Sequence, residues 1–137
     1  MIDPTKPKDA HAEERLRTDQ IAWIGTVRPD GRPHLVPIWF LWEGESVLFF
    51  SKEDQKIRNL THNPRATLSL DDTKFGGDVV LMEAEAELLA RPSAEVVPPA
   101  YFEKYAAGIE GLGMTPEEMT ATYRQAVRLR PTRFVSW

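Results

Sequence analysis

The chain has 137 residues, of which 42% are hydrophobic and 28% charged, a size and balance typical of one folded domain rather than of a disordered protein. Its 21 acidic residues outnumber its 17 basic ones, so it lacks the positive field that nucleic-acid binding requires, and we expect no nucleic-acid partner. The absence of cysteine excludes disulfides, zinc-thiolate sites, iron–sulfur clusters and thiol nucleophiles.

The N-terminal segment, residues 1–18, is polar and charged, and within residues 8–20 we expect a short surface helix. The segment has none of the apolar core of a signal peptide, and no later window approaches the length of a membrane span. We therefore expect a single cytosolic domain over residues 1–137, with no membrane span.

Two extended runs open the predicted sheet as a hairpin. Residues 21–27 are rich in β-branched and aromatic side chains, and a Pro-Asp-Gly turn leads into a second apolar run over residues 34–42. Both alternating sets of the second run are apolar, which predicts a central strand covered on both faces. Pro37 interrupts this run and removes one backbone donor, which we interpret as a place where a ligand approaches the backbone.

The middle of the chain alternates strand and helix patterns. Residues 47–51 predict a third strand, the period then becomes helical over residues 52–63, and residues 65–70 predict a fourth strand. Ser51 and Asp54 have the spacing of a weak capping box at the start of this helix.

The second half of the chain begins with a long strand, residues 78–90. Its even positions stay apolar while its odd positions change to glutamate, which predicts one face in the core and one that ends in water. Helices are predicted over residues 100–107 and from a Thr-Pro-Glu-Glu start at Thr115. Residues 127–130 and 132–137 predict two closing strands separated by a proline.

The order of hairpin, third strand, short basic helix and fourth strand resembles the split-barrel family that includes pyridoxamine phosphate oxidase and the deazaflavin-dependent reductases of actinobacteria. The resemblance covers most of the chain and is carried by the order and spacing of Thr26-Val-Arg-Pro-Asp-Gly-Arg-Pro33, Val36-Pro-Ile-Trp-Phe40, Ser51 through Lys56 to Asn59-Leu60, Asn63-Pro-Arg65 and Arg130-Pro-Thr-Arg-Phe134. It implies a mainly β fold with short helices, a split antiparallel β-barrel of the kind that binds flavin mononucleotide (FMN).

In that family the cofactor lies between the two subunits of a homodimer, and groups of the third strand and the following helix bind its phosphate. Ser51, Lys52 and Lys56 are the matching positions here. A phosphate favours compact cations, hydroxyl donors and the free N–H groups of a helix start, so the residue types suit this role. Without the resemblance, the serine is interpreted as a helix cap and the two lysines as a solvated face.

The resemblance also places the ring system of the cofactor beside the proline-interrupted strand, and Pro37, Ile38 and Trp39 are the candidates for ring contact. A core position is an equal alternative for Trp39. Arg58 is expected to pair with Asp54 at i,i+4 on the helix, with binding of a cofactor tail as a second role.

No metal and no catalytic side chain are expected. His11, His34 and His62 lack metal-ligand spacing, and the pair Asp71 and Asp72 is more typical of a turn. The sequence has no Gly-x-Ser-x-Gly elbow and no Rossmann Gly-x-Gly-x-x-Gly fingerprint. Hydride transfer requires no acid–base side chain when a bound cofactor carries the chemistry.

These features favour an oxidoreductase that transfers a hydride between bound coenzyme F420 and an organic acceptor. F420 comes first because residues 36–40 and 63–65 resemble the actinobacterial reductases, and FMN is the alternative. Pyridoxine phosphate oxidation is less favoured, because the chain is shorter than the true oxidases. A non-catalytic protein that binds flavin, deazaflavin or haem is an alternative from another class, since fold does not fix function, and a barrel that binds only protein partners is a third.

The resemblance and the apolar second strand together predict a homodimer with the cofactor at its interface. The loops over residues 72–78 and 101–114 are expected to line the substrate pocket. Trp137 either closes the site of the partner subunit or fills the core.

Overall fold

The computed structural model describes residues 2–71 and 74–137, which form one seven-stranded sheet with five helices. In chain order the elements are α1 (Pro7–Thr18), β1 (Ala22–Val27), β2 (Pro33–Ile38), β3 (Leu41–Trp42), β4 (Val47–Ser51), α2 (Gln55–His62), β5 (Arg65–Leu70), β6 (Val80–Leu88), α3 (Ser93–Val96), α4 (Pro99–Gly111), α5 (Pro116–Thr122) and β7 (Gln125–Ser136). None of the helices in these ranges is long and apolar enough to cross a membrane.

The sheet has the strand order β2-β1-β5-β6-β7-β4-β3, and every neighbouring pair is antiparallel. The predicted mainly β fold with short helices, a split antiparallel β-barrel, is confirmed. The alternation in β6 is also as predicted, because Val80, Met82 and Ala84 are buried while Glu83 and Glu85 are exposed.

Apolar side chains form two clusters on opposite faces of β4. Val47 and Phe49 belong to the first cluster, which also contains side chains from α1, α2 and the other strands. Leu48 and Phe50 belong to the second cluster, which packs against α4 and α5. Because both faces are covered, every residue of β4 is buried, and this strand has a fixed position from which its last residue enters the functional site.

The prediction of one central strand over residues 34–42 is wrong. β2 lies at the edge of the sheet and pairs only with β1, because Pro33 and Pro37 have no N–H to donate to a second neighbour. The chain leaves the ladder at Trp39 and Phe40 and crosses to the opposite edge, where β3 pairs with β4. The two apolar faces of the run therefore reflect this crossover and not burial within one strand.

The ends of several elements also differ from the predictions. Asp54 is the N-cap position of α2 but makes no side-chain capping bond, so the Ser51 and Asp54 capping box is wrong. The capping box of α5 is confirmed, since Thr115 and Glu118 bond reciprocally. The two predicted closing strands are one strand, β7, with a register shift opposite Glu83 that accommodates the internal proline.

The N-terminal helix is confirmed as α1, although it does more than cover the surface. Ala12 and Leu16 are buried in the first cluster. Trp137 is 60% exposed, and its indole Nε1 donates to the carbonyl of Gly76 at 2.6 Å, so the interpretation of Trp137 as a core residue is wrong.

Candidate functional site

A cleft of about 350 Å³ opens where β2 and β4 end, beside the start of α2 and against α4 and α5. This volume lies within the range of small-molecule sites. Its lining residues are Ile21, Pro37, Ile38, Trp39, Phe50, Ser51, Lys52, Asp54, Lys56, Tyr101, Leu112, Met119 and Tyr123. Six of the seven predicted cofactor contacts are among them, although they come from two separate stretches of sequence. Their role as cofactor contacts stays a prediction.

One end of the cleft is polar. Ser51 closes β4 and is buried, and its hydroxyl lies 2.6 Å from the Lys52 carbonyl and 3.3 Å from Asp54 Oδ1. Lys56 is in the first turn of α2, where its Nζ lies 2.6 Å from Asp54 Oδ2 and its side chain is only 12% exposed. Lys52 projects near Tyr123, with its Nζ 5.4 Å from the ring centroid. Two ammonium groups, a hydroxyl and a helix start therefore meet at one end of the cleft.

A buried amide fixes the position of α2 and thus of Lys56. The Nδ2 of Asn59 donates to the hydroxyl of Thr26 in β1 at 2.9 Å, and both residues are fully buried. The Oδ1 of Asn59 accepts from Gln55 Nε2 at 2.7 Å, so both polar atoms of the amide are paired. A paired buried amide has a defined orientation, which locks the first turn of α2 against the sheet.

Arg58 is the predicted contact that the cleft does not include. Its guanidinium donates to Gln55 Oε1 at 3.1 Å, while Asp54 pairs with Lys56, so the predicted pair of Arg58 and Asp54 is wrong. The reason is that α2 begins only at Gln55. Asp54 is the N-cap residue, with extended backbone angles of φ −113° and ψ −166°. Its carbonyl accepts the Arg58 N–H at 3.1 Å, but its carboxylate pairs with Lys56 instead.

The other end of the cleft is aromatic. The indole of Trp39 stacks on the ring of Tyr105, with 4.6 Å between centroids and 3° between planes. Tyr101 lies against Tyr105 and, at 4.8 Å between centroids, meets the edge of Phe50. Flat apolar walls of this kind suit a planar ring system, which would bury its faces against them.

Tyr105 holds the crossover at Phe40 in place. Its hydroxyl accepts the Phe40 N–H at 2.9 Å and donates to the Gln20 carbonyl at 2.7 Å. Phe40 lies outside the strand ladder, so this side chain supplies the partner that its N–H would otherwise lack. The aromatic wall made by Trp39 is therefore tied to the backbone next to it.

Lys104, which also bonds to the crossover, is expected to make the free energy of unfolding depend on pH. Its Nζ donates to the Phe40 carbonyl at 2.8 Å, and burial lowers the pKa of the ammonium from 10.5 to about 8. Between these two pKa values the unfolded chain binds more protons than the folded one, so the free energy of unfolding rises with pH in this range. Lys104→Met retains the apolar stem without the charge and is expected to lack this rise.

Thermal unfolding of both proteins at about pH 7.5 and about pH 9.5 measures the effect, because the two values span the expected titration of the folded state. Lys52→Met is the control, since Lys52 is exposed and should leave the pH profile unchanged. Parallel profiles for the wild type and Lys104→Met would show that this ammonium is not desolvated.

Gly108 of α4 limits the position of the Trp39 indole. A Cβ at Gly108 would stand 2.9 Å from Cη2 and 3.1 Å from Cζ2 of Trp39, closer than carbon atoms pack. Because the indole is also held by its stack on Tyr105, Gly108→Ala is expected to lower the free energy of unfolding by about 1–2 kcal/mol relative to Gly111→Ala.

Gly111→Ala is the matched control for this change. Gly111 is in the same helix, so alanine brings a similar gain in helix propensity, and nothing lies within 4 Å of its added Cβ. Urea denaturation of the two variants gives the comparison. Equal stabilities would mean that the indole moves away at no cost.

Several cleft residues were not predicted from the sequence. Asp54 was interpreted as a capping residue and a partner of Arg58, and Met119 and Tyr123 belong to a segment whose approach to the cleft depends on packing. Of the predicted substrate loops, residues 101–114 are mostly helix α4 and supply Tyr101 and Leu112 to the cleft. Residues 74–78 do not line it, and residues 72 and 73 lie outside the described part of the chain.

A second hollow, of about 580 Å³, lies on the face that β1, β2, β5 and β6 present away from the first cluster. His34 contributes to it, and its Nδ1 is buried without a hydrogen-bond partner among the described residues. Leu35 beside it is 65% exposed, and Trp23 on β1 is also exposed. Over residues 2–71 and 74–137, no three His, Asp or Glu side chains lie close enough together to bind a metal ion.

Comparison with known proteins places these features in a family. The family model described as pyridoxamine 5'-phosphate oxidase matches residues 8–137. A solved F420 reductase is 25% identical, with a TM-score of 0.66, over 90% of this chain and 94% of that chain. A conserved hypothetical protein from Mycobacterium tuberculosis is 26% identical, with a TM-score of 0.74, over 96% of this chain and 84% of that chain. The haem storage protein HutZ from Vibrio cholerae, 20% identical with a TM-score of 0.61 over 98% and 94%, shares the fold alone.

No curated protein sequence matches the chain. The family match extends from α1 to the last residue and includes every element that lines the cleft. The chain therefore belongs to the pyridoxamine 5'-phosphate oxidase family, which includes flavin-binding oxidoreductases.

Proposed function

We propose that the protein is an oxidoreductase that binds coenzyme F420 in the cleft and uses it to transfer a hydride to or from an organic molecule. The observation that carries this proposal is the division of one cleft into a cationic end, with Ser51, Lys52 and Lys56, and an aromatic end, with Trp39 and Tyr101. A cofactor with a phosphate at one end and a planar ring at the other complements both.

The proposed roles of the residues follow from their places in the cleft. Lys56 and Ser51 bind the phosphate through charge-assisted and hydroxyl hydrogen bonds, and Lys52 adds a second cation. Pro37, Ile38 and Trp39 lie against the ring and exclude water from one of its faces. When bound, the cofactor supplies the hydride chemistry, so the chain itself needs to bind, orient and shield rather than to move a proton.

The choice of coenzyme F420 over FMN is supported by the similarity to the solved F420 reductase at 25% identity. FMN stays the alternative cofactor within the same proposal. Both carry a ring and a phosphate, and the cleft has the residue types for either. Arg58 keeps its expected role at a cofactor tail only if that tail extends past the cleft, since Arg58 does not line it.

A carrier that binds the same cofactor without turnover is the second candidate. The fold is shared with a haem storage protein, but at 20% identity this supports the architecture alone. The described lining of the cleft contains no histidine, which makes it a poor match for the commonest axial ligand of haem iron. Oxidation of the reduced cofactor by a panel of organic acceptors separates the enzyme from the carrier.

We also propose that the protein forms a homodimer with the cofactor at its interface, and that the face with the second hollow belongs to this interface. Leu35 is exposed there, β2 is an open sheet edge, and the buried His34 Nδ1 has a donor or acceptor to satisfy. Sedimentation at micromolar concentration is expected to show a dimer, and Leu35→Lys is expected to shift it toward monomer with its far-ultraviolet circular dichroism retained. A wild-type monomer would contradict this assembly.

The proposed function is tested by titrating the cofactor-free protein in parallel with coenzyme F420 and with FMN, following cofactor fluorescence. Tight binding of F420 alone is the expected result. Preference for FMN would move the protein to the flavin oxidoreductases of its family. Binding of neither would overturn the assignment of the cationic end.

A further inference from the structure

We propose that Asp54 selects the charge of the phosphate, so that the cleft favours a phosphodiester with one negative charge over a phosphomonoester with two. Coenzyme F420 carries a phosphodiester and FMN a phosphomonoester. The inference rests on the proposed function, because it concerns the same cleft, and it adds a specificity-determining residue to it.

Asp54 occupies the position of an anion at the cationic end. Its Oδ2 lies 2.6 Å from Lys56 Nζ, and its Oδ1 lies 3.3 Å from the Ser51 hydroxyl. Lys56 is one of the donors assigned to the phosphate, and the carboxylate already accepts from it, whereas the Ser51 hydroxyl is closer to the Lys52 carbonyl, at 2.6 Å, than to the carboxylate. A bound phosphate must share Lys56 with Asp54 or displace it, and in either case two anions stand a few ångströms apart.

The charge balance of the cationic end then decides which phosphate it accepts. Lys52 and Lys56 are its basic side chains and Asp54 is its acidic one, and the described lining contains no other Lys, Arg, His, Asp or Glu. A phosphodiester, with one negative charge, balances this set, whereas a phosphomonoester, with about 1.5 to 2 negative charges at pH 7, leaves excess negative charge beside Asp54. The more highly charged phosphate also loses more hydration on binding, which offsets its stronger attraction to the two lysines.

The solvent exposure of Asp54 and Lys56 determines how strongly the cleft distinguishes the two kinds of phosphate. The side chain of Asp54 is 43% exposed, so water and salt screen its repulsion of a bound anion. The side chain of Lys56 is 12% exposed, which keeps the cation that both anions seek in a drier environment. We therefore expect a preference of about tenfold rather than exclusion of the monoester.

The experiment uses two ligands that differ by one methyl group on the phosphate, and therefore in its charge: the 5'-phosphate of the F420 chromophore and the methyl ester of that phosphate. The wild type is expected to bind the methyl ester about tenfold more tightly than the phosphate. In Asp54→Asn the phosphate is expected to gain about tenfold in affinity and the ester less, so that the preference falls below about threefold. Asparagine is a good N-cap residue, so the start of α2 is preserved.

Glu53→Gln is the matched control. Glu53 is an exposed neighbour that does not line the cleft, and its substitution changes the net charge of the protein by the same amount. It should leave the preference between the two ligands unchanged. If Glu53→Gln narrows the preference as much as Asp54→Asn does, the effect comes from overall charge and the assignment of Asp54 fails.

Binding of intact coenzyme F420 to the same samples separates the two levels of the proposal. If F420 binds but the wild type does not distinguish phosphate from ester, or Asp54→Asn keeps the wild-type preference, the role of Asp54 is overturned and the function stands. If F420 does not bind to the wild type, the proposed function fails, and the role of Asp54 fails with it.

Discussion

Tyr105→Phe is expected to lower the free energy of unfolding by about 2 kcal/mol, because it leaves the buried N–H of Phe40 without an acceptor. The hydroxyl also donates to the Gln20 carbonyl at 2.7 Å, so a second, partly buried hydrogen bond is lost. Burial raises the pKa of Tyr105 to about 12, which keeps the hydroxyl protonated and able to donate throughout the neutral range. Urea denaturation of the two proteins at pH 7 measures the loss.

Tyr101→Phe is the control for this substitution. Tyr101 is in the same helix and equally buried, but its hydroxyl makes no hydrogen bond among the described residues. The same chemical change there is expected to alter the free energy of unfolding by less than about 0.5 kcal/mol. Equal losses in the two variants would show that the Phe40 crossover does not depend on the Tyr105 hydroxyl.

Lys56→Ala is expected to weaken cofactor binding by about 1.5–3 kcal/mol, the scale of a hydrogen bond to a charged group. The side chain is largely buried, so water cannot fully replace the ammonium group. The expected loss corresponds to roughly a tenfold to 150-fold rise in Kd. Fluorescence titration with coenzyme F420 measures this change.

Arg58→Ala is the appropriate comparison, since Arg58 is a cation of the same helix that does not line the cleft. Its substitution should leave the Kd within about twofold of wild type, as for surface changes away from a site. An unchanged Kd in Lys56→Ala would remove Lys56 from the site, and a large loss in Arg58→Ala would place the cofactor tail along the helix.

Features set by local sequence were predictable. The alternation of β6 and the capping box of α5 depend on spacings of two and three residues, and both are confirmed. The fourth strand is likewise as predicted, since β5 spans Arg65–Leu70. In each case the residues that form the pattern belong to a single helix or strand, so the pattern can be recognised without knowing which elements are neighbours in the fold.

Features set by long-range pairing were not predictable in the same way. An apolar run with two apolar faces is compatible with a central strand, but here the chain leaves β2 at Ile38 and continues on the opposite edge of the sheet as β3. The hydrogen bonds that stabilise this break at Phe40 come from Tyr105 and Lys104, more than 60 residues further on. Pro37 was the one local indication that this run is not a central strand. A proline there is compatible with an edge strand as well as with a ligand beside the backbone.

The candidate site divides in the same way. Ser51, Lys52 and Lys56 lie within six consecutive residues, so a family resemblance could locate them together, and the structure brings them to one end of the cleft. Asp54 and Met119 were missed as lining residues, because the start of α2 and the packing of α5 decide where their side chains lie.

A crystal structure of the protein with coenzyme F420 would show directly whether this cleft binds the redox cofactor. We expect a phosphate within hydrogen-bond distance of Lys56 Nζ and a ring that contacts Trp39. Cofactor bound instead in the hollow beside His34, or density in neither place at saturating concentration, would contradict it.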